Sequence, residues 1–334
     1  MFYKYKMMFL LLMMIGTLIS ISSYSWFGMW MGLEINLLSI IPLLNNTKNM
    51  MANEATLKYF ITQVLASTIL LFSIITLSSN YLEWNNNIMM ILNSSILTKM
   101  GAAPFHFWFP EVMEGLNWMN CLLMLTWQKL APMILVMYNI NMMVFFMIII
   151  CLSMLISGLM GVNQISLRKI MAYSSINHIA WMISSMLFLE SIWMLYFIIY
   201  SIISLNLIFI FKFFNIFYLK QLFLSMNKMF YMKFFFILNM LSLGGLPPFL
   251  GFLPKWLTIQ ILISNNIFMM PLIMLIMTLF TLYFYMRVTF TTLMLSMNEV
   301  SYQTINFYKN YILMLFNFIT INSLLFSTLI FNFY

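Results

Sequence analysis

Long apolar stretches separated by short polar segments run through the whole chain. Most are about 20 residues long, the length that a helix needs to cross the hydrocarbon core of a bilayer. Because backbone N–H and C=O groups find no water there, such stretches fold as helices. The pattern predicts eleven spans, approximately Met7–Ser23, Trp26–Leu44, Ala55–Leu77, Ile88–Phe109, Trp118–Tyr138, Met142–Val162, Ile170–Leu189, Ser191–Phe214, Phe234–Ser264, Phe268–Leu293 and Tyr311–Phe333. The predicted fold class is an all-α polytopic membrane protein.

Composition strengthens this prediction and excludes other classes. Of the 334 residues, 64% are hydrophobic and 7% are charged, whereas a globular domain has roughly a quarter charged residues. A soluble enzyme, a nucleic-acid binder and a disordered chain are therefore excluded. The two cysteines, Cys121 and Cys151, lie inside apolar runs and imply no disulfide framework. The absence of Asp and the 38 Met indicate an A+T-rich genome, as in an organelle.

The charges between the spans predict the orientation. Counted alternately, the loops on the N-terminal side hold twelve basic residues, whereas the opposite side holds no basic residue and only Glu83 and Glu190. This bias places the N-terminus in the matrix and, with eleven spans, the C-terminus in the intermembrane space. The basic residues on the N-terminal side are Lys4, Lys6, Lys48, Lys58, Arg168, Lys169, Lys212, Lys220, Lys228, Lys233, Arg287 and Lys309.

Four other charges, Glu34, Lys99, Lys129 and Lys255, fall inside predicted spans or at their breaks. A charge at the centre of a spanning helix costs about 3 kcal/mol on insertion scales. Such residues therefore face the protein interior and pair, or they line a hydrated path. The alternative is an internal ion pair that only holds helices together, but such a pair leaves two of the lysines unexplained.

Glycine and proline interrupt the fourth and ninth predicted spans, at Gly101–Pro104 and Gly244–Pro254. Both are predicted to be broken helices, with backbone groups released at mid-membrane. The breaks are five spans apart, so spans one to five and six to ten have opposite topology, as in the inverted repeats of secondary transporters. The predicted domains are a first five-helix repeat (1–138), a second, inverted repeat (139–293) and a loop with the last helix (294–334). The alternative is two ordinary proline kinks.

Five blocks carry a resemblance to a known family: Gly32–Leu37, Lys99 with Gly101–Trp108, Thr126–Pro132, Leu167–Lys169 with Ser174–His178, and Leu243–Trp256. The chain resembles the subunit 2 family of mitochondrial NADH:ubiquinone oxidoreductase (respiratory complex I), in its eleven-helix animal form and of the insect type. That family is similar to cation/proton antiporter subunits. Its bacterial members have three further N-terminal helices, and losing three spans agrees with a start in the matrix.

The resemblance implies a proton relay along a hydrated axis. Glu34 matches the acidic residue of an early helix, and Lys99 matches its partner at the first broken helix. Lys129 matches the lysine at the membrane centre, and Lys255 matches the lysine at the second broken helix. Opening and closing the Glu34–Lys99 pair would change the proton affinity of Lys99 and then of Lys129.

His106 and His178 lie in family motifs and are further candidates for the relay. The alternative for each is a hydrogen-bonded core histidine. Two histidines cannot supply the paired axial ligands of a two-haem cytochrome, and the sequence contains no P-loop, GxGxxG turn or cysteine cluster. No cofactor or metal is therefore expected in this chain.

The resemblance assigns NADH, FMN, the iron–sulfur clusters and ubiquinone to the parent complex. The expected partners are other membrane-arm subunits, accessory subunits, membrane lipids, protons and water, with no nucleic acid, in the mitochondrial inner membrane. Two alternatives remain open, a free-standing cation/proton antiporter and a pure assembly scaffold.

Overall fold

The structure is a computed structural model that describes residues 2–46, 49–79, 86–226, 230–294 and 317–318. Within these ranges the secondary structure is helical apart from turns and one isolated antiparallel bridge between Ser166 and Tyr218. The helices are α1 Phe2–Ser22, α2 Trp26–Leu44, α3 Met50–Ser79, α4 Asn86–Met100, α5 Trp108–Gly115, α6 Trp118–Leu125, α7 Trp127–Met137, α8 Met143–Val162, α9 Leu167–Met186, α10 Glu190–Phe214, α11 Leu219–Met226, α12 Phe230–Gly244, α13 Phe252–Ser264 and α14 Met269–Met294.

The all-α prediction is confirmed. Seven of the described helical stretches are long and apolar enough to cross a membrane, with Trp118–Met137 counted as one, and α12 and α13 are shorter apolar helices. The eleventh predicted span, Tyr311–Phe333, lies outside the described residues except for 317–318. Lys48, Glu83, Lys228 and Lys309 also lie outside them, as does the side chain of Lys4.

The chain divides into two compact units, 1–153 and 154–334, with the boundary inside α8. The predicted repeats, 1–138 and 139–293, concern internal symmetry, which this division does not test, so they stay predictions. In the first unit α2 packs against α1 and α3, while α4 packs against α3 and α7. Glycine allows the close α1–α2 contact, because a Cβ atom on Gly32 would lie 2.5 Å from the Ser20 backbone nitrogen.

In the second unit α9 lies at the centre. All of its residues except Arg168 and Lys169 are buried, and it packs against α10, α13 and α14. A helix enclosed on all sides needs no polar face. The polar side chains of α9, among them Ser174, Asn177 and His178, therefore point into protein.

Candidate functional site

The first break separates α4 from α5, as the sequence predicted. Gly101 has a φ of +74°, which favours glycine, and Pro104 has no amide hydrogen to continue a helical ladder. The Trp108 indole spans the break and donates to the Thr98 carbonyl over 3.0 Å. Lys99 lies in the last turn of α4, immediately before the break, and its side chain is 8% exposed.

A small polar cavity of about 20 Å³ lies against Lys99, which is room for about one water molecule. A hydrogen-bond network crosses its wall. The Tyr59 hydroxyl donates to Gln128 Oε1 over 3.3 Å, and Gln128 Nε2 donates to Asn36 Oδ1 over 2.9 Å. The full lining is Leu33, Asn36, Leu37, Tyr59, Gln63, Lys99, Gln128 and Pro132. The cavity therefore surrounds a titratable amine with groups that can orient water.

Glu34 and Lys99 are not joined by an ion pair within 4.0 Å, although the structure describes both side chains. Glu34 is only partly buried on α2. Its Oε1 atom is buried and accepts no hydrogen bond from the part of the chain that is described. The structure therefore does not show the predicted pair closed, and the pair and its switching stay predictions.

Lys129 lies in the first turn of α7 with only 1% of its surface exposed. Its Nζ atom is 5.3 Å from the centre of the Phe109 ring, within the range of a cation–π contact. The sequence predicted one continuous helix from Trp118 to Tyr138, but the structure interrupts it at Thr126, where α6 ends and α7 begins. Lys129 therefore follows a helix break, as does Lys255.

The second break separates α12 from α13 and is organised by Lys255. Its Nζ atom donates to the carbonyl oxygens of Gly244 over 2.8 Å and Leu243 over 3.4 Å. These carbonyls belong to the end of α12, where a helix has no further amides to donate to them and where a positive charge is favourable. Gly245 has a φ of +79° and lies directly against the Lys255 side chain. The Lys255 Nζ atom also lies 5.8 Å from the Trp181 ring centre.

The two candidate histidines have different surroundings. His178 on α9 shares a 2.8 Å hydrogen bond between Nδ1 and the Tyr196 hydroxyl, and the Tyr200 ring lies 4.9 Å away. His106 lies in the first break, and its Nδ1 is 3.3 Å from the carbonyl oxygen of Pro104, two residues earlier. His178 is thus part of a polar cluster, whereas the recorded polar contact of His106 is within its own turn.

Sequence reasoning missed several polar residues at these sites. Tyr196 and Tyr200 lie four residues apart on α10 and face His178, and buried Tyr285 on α14 lies near both tyrosines. In the first unit, Tyr59 and Gln63 line the cavity at Lys99. A polar residue inside an apolar span is the one available signal for such positions. However, many spans contain one, and only the tertiary structure shows which of them meet.

In each unit, contacts join segments that the predicted topology places on the matrix side. In the first unit, Lys58 pairs with Glu54 over 3.1 Å and with Glu111 over 3.0 Å, which joins the start of α3 to α5. In the second unit, Arg287 donates to the Val162 carbonyl over 3.2 Å. There, backbone hydrogen bonds join the segment before α9 to the segment before α11, around the bridge between Ser166 and Tyr218. Loops that the predicted topology places on the same side therefore do meet within each unit.

Comparison with known proteins gives a consistent result. The sequence family described as "NADH:quinone oxidoreductase/Mrp antiporter, TM" matches residues 23–281. NADH-ubiquinone oxidoreductase chain 2 of Anopheles gambiae is 50% identical, covering 97% of both chains. The Locusta migratoria protein of the same name is 50% identical over 90% of this chain and 88% of its own length.

Solved structures share the fold at low sequence identity. A chain of respiratory complex I from Thermus thermophilus gives a TM-score of 0.85 at 20% identity, covering 95% of this chain and 77% of its own. A chain of the Mrp complex from Dietzia gives 0.76 at 15% identity, covering 89% and 62%. These two likenesses show that the antiporter-like fold is common to all three chains.

Proposed function

The chain belongs to the NADH:quinone oxidoreductase/Mrp antiporter family, as an antiporter-like membrane subunit of respiratory complex I, and we propose that its buried lysines relay protons for that complex. Lys99, Lys129 and Lys255 are the relay groups, and Glu34 modulates the first of them. NADH oxidation and ubiquinone reduction, with FMN and the iron–sulfur clusters, take place in other subunits. This chain contributes proton translocation in the inner membrane.

The observation that carries the proposal is the polar cavity against Lys99. Protons move between a buried amine and its surroundings only where water or another titratable group comes within hydrogen-bond reach. The cavity has room for one water molecule beside Lys99, and the Tyr59–Gln128–Asn36 network can orient that water. A lysine whose role is to hold helices together through an ion pair needs a fixed acidic partner, and Glu34 does not form an ion pair with Lys99 here.

Glu34 fits the role of a movable neighbour. A carboxylate that approaches or leaves Lys99 changes how tightly the lysine holds its proton, because the interaction depends on distance and on the low local dielectric. The buried Oε1 atom of Glu34 accepts no hydrogen bond from the described part of the chain. A buried acceptor without a hydrogen bond costs about 1–3 kcal/mol. This cost favours movement of the Glu34 carboxylate toward Lys99.

In the second unit the proposed relay uses Lys255 and His178. Both lie within the polar interior around α9, since Lys255 reaches the Trp181 ring and His178 lies on the same helix one turn earlier. Tyr196 holds one His178 ring nitrogen in a fixed direction. His106 contributes less, because its recorded polar contact is with the adjacent Pro104 carbonyl.

We further propose that the basic loops face the matrix and that the partners are the neighbouring membrane-arm and accessory subunits of the complex. The charge bias of the loops supports this orientation. The ion pair between Lys58 and Glu111 also supports it, because it brings together two segments that this topology places on the matrix side.

The test is Lys129→Met in the assembled complex. This substitution keeps the length and the apolar packing of a 1% exposed side chain but removes the titratable amine. General acid–base groups contribute about 10²–10⁴-fold to rates, so ubiquinone reduction and proton pumping should fall together by at least tenfold. Lys220→Met is the matched control, since Lys220 is exposed on α11 and its loss should leave both rates unchanged.

Assembly is measured on native gels and by NADH oxidation with an artificial electron acceptor. If the Lys129→Met complex assembles and pumps at the unsubstituted rate, Lys129 is not part of the relay.

A further inference from the structure

A second cavity lies in the first unit, where three helix ends meet. It has a volume of about 400 Å³ and is bounded by the start of α4, the turn after α7 and the start of α8. Asn86, Asn139 and Asn141 supply its polar wall, and Met89 and Phe145 supply part of its apolar wall. Because helix ends leave backbone N–H and C=O groups without partners inside the helix, this region requires water or other polar groups.

Two buried amides lie at the inner end of this cavity, because Asn139 lines it and Asn93 contacts Asn139 from behind. Asn93 Nδ2 donates to the Asn139 backbone carbonyl over 3.4 Å. Asn93 Oδ1 and Asn139 Nδ2 are also buried, and neither has a hydrogen-bond partner in the described parts of the chain. Asn93 is 0% and Asn139 is 1% exposed. Leaving both groups unsatisfied costs about 1–3 kcal/mol each. One water molecule, which both donates and accepts, would satisfy the two together.

Asn93 lies between the cavity and Lys99 along α4. Met89, which lines the cavity, and Asn93 are four residues apart on α4 and therefore share a face. Lys99 follows Asn93 by six residues, which is about 9 Å along the helix. The neighbouring helix α7 runs antiparallel to α4, because Gln128 and Pro132 line the small cavity at Lys99, whereas Asn139, after the end of α7, contacts Asn93. The two cavities thus lie at the two ends of the α4–α7 contact.

We propose that the 400 Å³ cavity is a water-filled vestibule whose inner end is a water molecule bound between Asn93 and Asn139, on the side opposite Lys58 and Glu111. The sidedness follows from the helices. Lys58, which pairs with Glu111, is the ninth residue of α3, and α3 continues for 21 residues to Ser79, whereas α4 begins at the cavity. The use of the vestibule for proton transfer rests on the proposed relay, whereas its hydration does not depend on that relay.

Water fits the inner end better than a lipid chain does. An acyl chain would cover Met89 and Phe145, but it would leave the buried amide groups of Asn93 and Asn139 unsatisfied. It would also cover the polar ends of α4 and α8. The chemistry of the inner end therefore selects water, and an apolar occupant is the alternative to be tested.

The test measures thiol accessibility in the assembled complex. Asn139→Cys and Asn93→Cys are treated with a small cationic, membrane-impermeant methanethiosulfonate, added to mitoplasts or to inside-out vesicles. Asn141→Cys is the control for sidedness, because Asn141 is an exposed wall residue. Leu92→Cys is the matched dry control at the same depth, since Leu92 is 0% exposed. The unsubstituted chain, with Cys121 and Cys151, sets the background.

We expect Asn139→Cys and Asn93→Cys to react in mitoplasts at least about tenfold faster than Leu92→Cys, and more slowly than Asn141→Cys. If one of the two variants does not assemble, the other gives the same measurement. Reaction with a lipid-soluble reagent only, reaction from the other side only, or no reaction at all would overturn the vestibule. None of these outcomes depends on pumping, so the Lys129→Met test of the relay stands or fails separately.

Discussion

Replacing Gly245 by alanine should displace Lys255 from the end of α12. A Cβ atom there would lie 2.7 Å from Lys255 Cδ and 2.8 Å from its Nζ, which is closer than nonbonded atoms approach. The backbone φ of +79° adds a cost of about 1–2 kcal/mol for any residue with a Cβ atom. Losing the 2.8 Å hydrogen bond from a charged Lys255 to the Gly244 carbonyl costs about 1.5–3 kcal/mol more.

The loss of the Lys255–Gly244 hydrogen bond is the effect relevant to function. A change of about 1.5–3 kcal/mol corresponds to about a 10- to 150-fold shift between the seated and displaced positions of Lys255. The expected result is an assembled complex in which ubiquinone reduction and proton pumping are both reduced by about tenfold or more.

Gly244→Ala is the matched control, one residue earlier. A Cβ atom on Gly244 would meet Tyr285 Cδ2 at 3.7 Å and Leu282 Cγ at 3.9 Å, which are ordinary contacts, and Gly244 is the last residue of α12. Both variants are compared by turnover per assembled complex. If Gly245→Ala retains full turnover, or if Gly244→Ala loses as much, the position of Lys255 at the α12 end does not matter for function.

Two further predictions test Glu34 and the orientation. Glu34→Gln should leave the complex assembled but lower turnover and proton pumping together several-fold. The control Glu54→Gln should change both rates little, because Glu54 belongs to an exposed ion pair of a kind worth at most about 1 kcal/mol. Failed assembly of the Glu34→Gln complex, with normal activity per assembled complex, would show that Glu34 has a structural role. Lys220 and Lys233 should be protected from a membrane-impermeant amine reagent in intact mitoplasts and should react with it in inside-out vesicles. Labelling in intact mitoplasts would show that these loops do not face the matrix.

Most helices of the described residues and both main breaks could be predicted because their causes are local. Apolar length predicts a spanning helix, and Gly101 and Gly245 end their helices at positive φ values that other residues avoid. The break at Thr126 has no such signal. Its neighbourhood contains no glycine, and Pro132, six residues later, lies inside α7 rather than at the break.

The candidate site was only partly predictable, because charge in a span marks a residue but not its surroundings. Glu34, Lys99, Lys129 and Lys255 stand out as charged residues among apolar ones. Their neighbours are distant in sequence, since the cavity at Lys99 draws residues from α2, α3, α4 and α7. The cluster around His178 likewise combines α9, α10 and α14. Such sets form only when the helices pack.

The two broken helices hold their lysines in opposite ways. At the first break Lys99 precedes the glycine, and the Trp108 indole spans the gap to the Thr98 carbonyl, so the amine is left to face the cavity and its polar network. At the second break Lys255 follows the glycine and itself binds the last carbonyls of α12. A change in the charge of Lys99 therefore acts first on water and side chains. In the proposed relay a change at Lys255 acts directly on the backbone, because the same amine stabilises the α12 end, so the proposal couples proton transfer to helix geometry at the second break.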